Sequence, residues 1–141
     1  MYSIVPDTNV VVAAIRSRHG ASFEILRRLG EAWIPLISAP LILEYEAVGK
    51  REAQRLKIPE SVVEAIVRAF CFLGRETDIH FRLRPFLPDP SDEFLLELAV
   101  AGRADAIVTH NVRHFVGVER FGIQLLTPRD FLRTIEEVEE I

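Results

Sequence analysis

Residues 2–16 read YSIVPDTNVVVAAIR, and this stretch decides the fold. Tyr2 to Val5 is a short apolar run, which predicts a strand. Asn9 to Arg16 is a longer apolar run, which predicts a short helix with Asp7 or Thr8 at its N-cap. A strand passing directly into a helix is the repeating half-unit of a parallel α/β sheet. Asp7 stands at the junction, immediately after the strand.

The same alternation continues outward from this unit. Residues 17–20 form a turn, and 22–30 are helical, with Phe23, Leu26 and Leu29 at spacings of three. Residues 32–37 predict a second strand. Ser38 caps a helix over about 40–56, with Pro40 in its first turn, where proline is tolerated. Residues 59–73 form another helix, closed by Gly74. Residues 77–81 read as a weak third strand or an extended connector. The stretch 84–90 holds three of the eight prolines and is a loop. Ser91 caps a helix that runs to about Ala101 and ends at Gly102. Residues 106–109 predict a fourth strand, followed by a turn and a short helix around 111–115, and 123–126 predict a fifth. Thr127 to Asp130 has capping-box spacing, with Asp in place of the usual Glu, and opens a last helix to about Glu139.

The expected architecture is α/β: a three-layer α/β/α sandwich around a parallel sheet of about five strands, because right-handed crossovers place helices on both faces. No Gly-, Ser- or Pro-rich linker divides the chain, so residues 1–141 read as one domain. In such sheets a ligand site lies outside the carboxyl ends of the strands.

Composition sets the outer limits. A chain of 141 residues that is 49% hydrophobic and 27% charged can bury a core, and is neither a disordered tail, a disulfide scaffold nor a collagen-like fibre. It has no run of about 18 apolar residues, so no membrane span is expected. The first residues lack a basic region followed by a long apolar one, so no secretory leader is expected. The single Cys71 can form neither an intrachain disulfide nor a thiolate zinc cluster, and a reducing cytoplasm is the expected setting. The net charge of −4 lies in the tail: Glu136, Glu137, Glu139 and Glu140 account for it, and the rest is formally neutral. The 17 basic residues are all arginine except Lys50 and Lys57, a bias that permits nucleic-acid binding without demonstrating it.

The chemistry-bearing residues gather at the predicted carboxyl edge. Asp7 follows the first strand, where a carboxylate serves a cation, a phosphate site or a helix cap. Glu44 has Leu41, Ala47 and Val48 at helical spacing, which predicts a place on the apolar face, where an unpaired charge is costly. Glu46, by contrast, pairs with Lys50. Asp89, Asp92 and Glu93 form the densest acidic cluster. The helix dipole explains one or two of them; Asp92, with Leu95 and Leu96 beside it, is the one expected to face inward, and Glu93 is read as a surface residue or a second ligand. Asp105 precedes the fourth strand, at its wrong end for the site. Thr109 and Asn111 stand at the right end and could ligate or orient water. His110 and His114 are four apart, but without a cysteine partner or HExxH motif they do not predict zinc. Asp7, Glu44, Asp92 and Asn111 thus share one edge, and clustered carboxylates require hard cations, Mg²⁺ or Mn²⁺. Such ions activate water for displacement at phosphorus.

These residues resemble the PIN domain family of nucleases. VPDTNVV at 5–11 resembles its opening motif, SAPLILEYEAV at 38–48 its second, DPSDEFLLELA at 89–99 its third and ADAIVTHNVRHF at 104–115 its fourth. The closing TPRDFL at 127–132 resembles the branch of toxin components of toxin–antitoxin pairs, the VapC-like proteins. The resemblance implies a five-stranded parallel sandwich, Mg²⁺ or Mn²⁺, endoribonuclease activity, a homodimer and inhibition by a small antitoxin protein. It implies Asp7, Glu44 and Asp92 as the catalytic and metal-binding acids, supported by Thr8, Asn9, Asp89, Glu93, Thr109 and Asn111. One departure stands out. Many relatives carry an acid near the position of Asn111, or as an Asp-Phe pair where this chain has His114 and Phe115. A three-acid site is expected to hold a single ion.

Two other readings compete. A phosphoacceptor domain would need an acidic pair early in the chain and a lysine after the fifth strand, and this sequence has neither. A PIN-fold module that binds RNA or protein without cleaving is the alternative that the missing fourth acid raises. Arg16, Arg18, Arg82 and Arg84 are the basic candidates for an RNA groove.

Overall fold

A computed structural model describes residues 1–80 and 82–139. Among them, five strands form one sheet: β1 (Tyr2–Pro6), β2 (Trp33–Ile37), β3 (Arg75–Glu76), β4 (Ala106–Val108) and β5 (Gln124–Leu126). Their spatial order is β3-β2-β1-β4-β5, and every pairing is parallel. Six α-helices cover it: α1 (Thr8–Arg16), α2 (Ala21–Arg27), α3 (Ala39–Leu56), α4 (Glu60–Leu73), α5 (Pro90–Ala101) and α6 (Pro128–Glu139). This is the expected α/β/α sandwich. No described helix is long and apolar enough to cross a membrane.

Each layer follows from which residues must leave water. β1 and β4 are central, and Ile4, Val5, Ala106, Ile107 and Val108 are all buried, as strands covered on both faces require. α5 packs chiefly on β1, β2 and β4. α4 packs on β2 and α6 on β5, and these helices are joined by contacts of α1 with α2 and α3, of α3 with α4, and of α2 with α6. Between them Phe70 meets Trp33 and Tyr45 edge-on, with ring centroids 6.0 and 5.3 Å away, and the Trp33 indole N–H donates to the Ile25 carbonyl at 2.9 Å.

Several boundaries differ from those expected. The helix expected over 22–30 ends at Arg27, because Gly30 turns at φ +84° before β2. The third strand is Arg75–Glu76 rather than 77–81: it pairs with Leu36 and Ile37 directly after the helix ends, and Phe81 lies outside the described residues. Asp89, not Ser91, caps α5, its carboxylate accepting the Ser91 N–H at 2.9 Å. Ser38 occupies the N-cap of α3, but its hydroxyl makes no cap bond. Around the fifth strand, 3₁₀ turns at Val112–Phe115 and Val118–Phe121 supply the connection.

Candidate active site

The parallel register sets Pro6 beside Val108, so the residues that follow, Asp7 and Thr109, emerge together at the carboxyl edge. The Asp7 N–H continues the ladder, donating to the Val108 carbonyl at 2.8 Å. The Tyr45 hydroxyl donates to the Pro6 carbonyl from α3 and fixes the strand end from below. Asp7 occupies the N-cap position of α1, yet its side chain makes no cap bond. Instead Oδ2 accepts from Thr109 Oγ1 at 2.8 Å and from Asn9 Nδ2 at 3.3 Å. Asn9 Oδ1 in turn accepts the His110 N–H at 3.3 Å, and Thr109 Oγ1 accepts the Asn111 N–H at 3.0 Å. Thr109 and Asn9 therefore organise this edge. Asn111 contributes its backbone, and its side chain is exposed.

Glu44 does not lie on the apolar face. The buried stripe of α3 is Leu41, Tyr45, Gly49 and Ala53, at intervals of four, and Glu44 falls one position off it, exposed. What brings it to the edge is Thr8, whose Oγ1 donates to Glu44 Oε2. Glu44 also lines a cleft of about 180 Å³ between α3 and α5, with Pro40, Leu41, Ser91, Phe94 and Leu95.

Asp92 comes from the first turn of α5 and is only 8% exposed. Its Oδ2 is buried without a hydrogen-bond partner. Burial raises its pKa to about 6, the negative charges of Asp7, Asp89 and Glu44 add to that rise, and His114 opposes it. Burial likewise raises Asp7, while Thr109 and the amides of Thr8 and Asn9 hold it down and Glu44 pushes it up. Three carboxylates thus repel one another across one edge.

Glu93 is not on the surface. It is 3% exposed and accepts the Phe86 N–H at 2.6 Å and the Leu87 N–H at 3.4 Å. The sequence reading missed Glu97, one turn on and 2% exposed, which accepts the Leu83 N–H at 2.7 Å and pairs with Arg84 at 3.3 Å. The only signal for it was a second acid four residues after Glu93 in an otherwise apolar helix. These two carboxylates tie the proline-rich loop to α5. Arg16 pairs with Glu52 and Arg84 with Glu97, so two of the four arginines picked for a groove are committed elsewhere. Asp105 accepts the Ser3 N–H at 2.8 Å at the far edge of the sheet, as its position implied.

Among the described residues, no three of His, Cys, Asp and Glu stand together as a ready cage for an ion. The donor set nevertheless fits a hard divalent cation. Mg²⁺ keeps several waters and is commonly held by only one or two carboxylates. Asp92 Oδ2 is a buried oxygen without a hydrogen bond, and a cation offsets the repulsion that raises Asp7 and Asp92.

Comparison with known proteins agrees with this fold. The family model described as PIN domain matches residues 3–113, more than three quarters of the chain. The matched stretch includes Asp7, Glu44, Asp92, Thr109 and Asn111 and stops one residue before His114. No curated protein matches the chain.

Proposed function

The chain belongs to the PIN domain family, and from that premise we propose that it is a divalent-metal-dependent endoribonuclease, the toxin of a toxin–antitoxin pair. Nuclease-type function is what the family implies in general. The observation that carries the proposal is Asp92: a carboxylate buried at the carboxyl edge, unpartnered at Oδ2 and repelled by Asp7. A protein keeps such a group when something cationic binds there.

In this reading Asp7 and Asp92 hold Mg²⁺ or Mn²⁺. When bound, the ion supplies Lewis-acid stabilisation of the charge that builds on the phosphoryl oxygens. Thr109 and Asn9 keep Asp7 Oδ2 aimed at the edge. Glu44, held at Oε2 by Thr8, leaves Oε1 to bind and orient a water at the mouth of the cleft. The resemblance of the closing TPRDFL segment supports the toxin role, with a small antitoxin and a second copy of the chain as partners and the cytoplasm as its setting.

The test is cleavage of mixed fluorescent RNA oligonucleotides with Mn²⁺ or Mg²⁺. Metal-dependent cutting by the wild type, lost in Asp7→Asn and Asp92→Asn, is the expected result. Binding of RNA without cutting, by folded protein free of inhibitor, would instead support the binding-module reading, in which the absent fourth acid removes the chemistry.

A further inference from the structure

His114 stands at the acidic edge and is unused by the function proposed above. It belongs to the 3₁₀ turn Val112–Phe115, which the fully buried Phe115 pins to the core. The approach to the turn is fixed twice more, by the Asn111 N–H on Thr109 Oγ1 and by His110 Nε2, 3.1 Å from Ser22 Oγ. The His114 side chain itself is 58% exposed, and its Nδ1 lies 3.6 Å from Asp92 Oδ2. That separation is too long for a hydrogen bond. The oxygen it faces is the buried, unpartnered one.

We propose that His114 is a nitrogen ligand of the cation held at Asp92, and that it makes this centre select Mn²⁺ over Mg²⁺. The assignment rests on the metal-dependent reading above. Two donors held about 2.1 Å from one ion stand between about 3 and 4.2 Å apart, depending on the angle between them. The 3.6 Å gap between Nδ1 and Oδ2 falls within that range. Only these two side chains need touch the ion directly, and Asp7 holds it through one of the waters that complete its shell. Carboxylates and water serve Mg²⁺ and Mn²⁺ alike, whereas imidazole favours transition metals. The same two atoms admit one rival arrangement, a protonated imidazole acting as a built-in counter-ion to Asp92. Removing His114 moves metal affinity in opposite directions in the two cases.

The experiment titrates Mn²⁺ and Mg²⁺ calorimetrically into wild type, His114→Asn, His114→Asp and Asp92→Asn, each shown folded by circular dichroism. Pulsed EPR of the Mn²⁺ complexes reads nitrogen hyperfine coupling. The proposal expects imidazole coupling in the wild type and its loss in His114→Asn. It expects Mn²⁺ binding to weaken by about tenfold in that variant, while Mg²⁺ binding shifts by about twofold or less. His114→Asp should bind Mg²⁺ more tightly than the wild type does. Mn²⁺ that binds through Asp92 without nitrogen coupling, or binds more tightly once His114 is removed, overturns the proposal and leaves the metal-dependent reading standing. Failure of the wild type to bind either ion overturns both.

Discussion

Thr109 Oγ1 donates to Asp7 Oδ2 at 2.8 Å, joining the end of β4 to the end of β1 across 102 residues of chain. Thr109 is fully buried, so its hydroxyl has given up water and must have a partner. It also stabilises the ionised form of a carboxylate that burial pushes the other way. Thr109→Val should therefore raise the Asp7 pKa further, weaken Mn²⁺ binding near pH 6 by about tenfold and cost about 1 to 2 kcal/mol of stability. Thr109→Ser keeps the hydroxyl and should lose much less affinity. Calorimetric titration and urea unfolding of both variants check this, and equal metal affinity in the two would refute it.

The pH dependence of the metal-free protein follows from Asp92. Its pKa is raised from an ordinary value near 3.8 to about 6, and that of Asp7 is raised too. Between those limits the unfolded chain has released protons that the folded chain still holds. Stability from these groups is therefore fully present below about pH 4 and is lost as pH rises through about 6. In chelator, Asp92→Asn should gain Tm relative to wild type as pH rises across this window. Added Mn²⁺ should do the opposite to wild type, stabilising it more as pH rises through 6, because the ion binds the ionised carboxylates. Thermal scans with and without Mn²⁺ read both effects, and a difference between wild type and Asp92→Asn that is flat in pH would refute the assignment.

Two glycines show how closely the helical layer packs. A Cβ on Gly49 would meet Val63 Cγ1 at 2.8 Å, where α3 crosses α4. A Cβ on Gly74 would meet the Phe70 carbonyl at 2.5 Å and the Pro35 carbonyl at 3.0 Å. Side-chain methyls can shift, but backbone carbonyls held in a helix and a strand cannot. Gly49→Ala gains helix propensity of about 1 kcal/mol and loses about as much or slightly more to overpacking, a small net change. Gly74→Ala has no such gain and should destabilise by about 2 kcal/mol or more, read as a shift in the urea midpoint at constant slope.

The alternation of strands and helices was legible because the central strands are apolar runs and helices such as α4 and α5 end at a glycine, Gly74 and Gly102. Asp7 and Asp92 were legible because a carboxylate beside such runs needs a reason. β3 was not, since Arg75 and Glu76 are an exposed, polar edge pair with no apolar signal. Glu44 was placed on the wrong face by counting neighbours at i−3 and i+4, when the buried stripe of α3 runs through Leu41 and Tyr45. What holds Glu44 at the site is Thr8, 36 residues away in sequence, and no local pattern encodes that contact. Glu93 and Glu97 were misjudged or missed for the same reason: their partners are backbone amides of an aperiodic loop.

Those two glutamates separate support from chemistry at the edge. Glu93 is adjacent in sequence to Asp92 and equally buried, so proximity alone would make it a metal ligand. Its Oε2, however, accepts hydrogen bonds from the Phe86 and Leu87 amides, whereas Asp92 Oδ2 accepts none and has only the His114 ring 3.6 Å away. Glu93→Gln retains a carbonyl acceptor for those amides and should leave Mn²⁺ affinity within about twofold of wild type, with a stability loss of about 1 kcal/mol. Glu97→Ala strips the acceptor from the Leu83 N–H and the partner from Arg84. Because Arg84 is partly exposed and can regain water, the cost should be about 2 to 3 kcal/mol, below that of breaking a wholly buried pair. Urea unfolding gives both stabilities and calorimetry gives the affinity. Loss of Mn²⁺ binding in a Glu93→Gln protein of near-normal stability would mean that the loop amides only share Glu93 with the ion, and that Glu93 is a further direct carboxylate ligand.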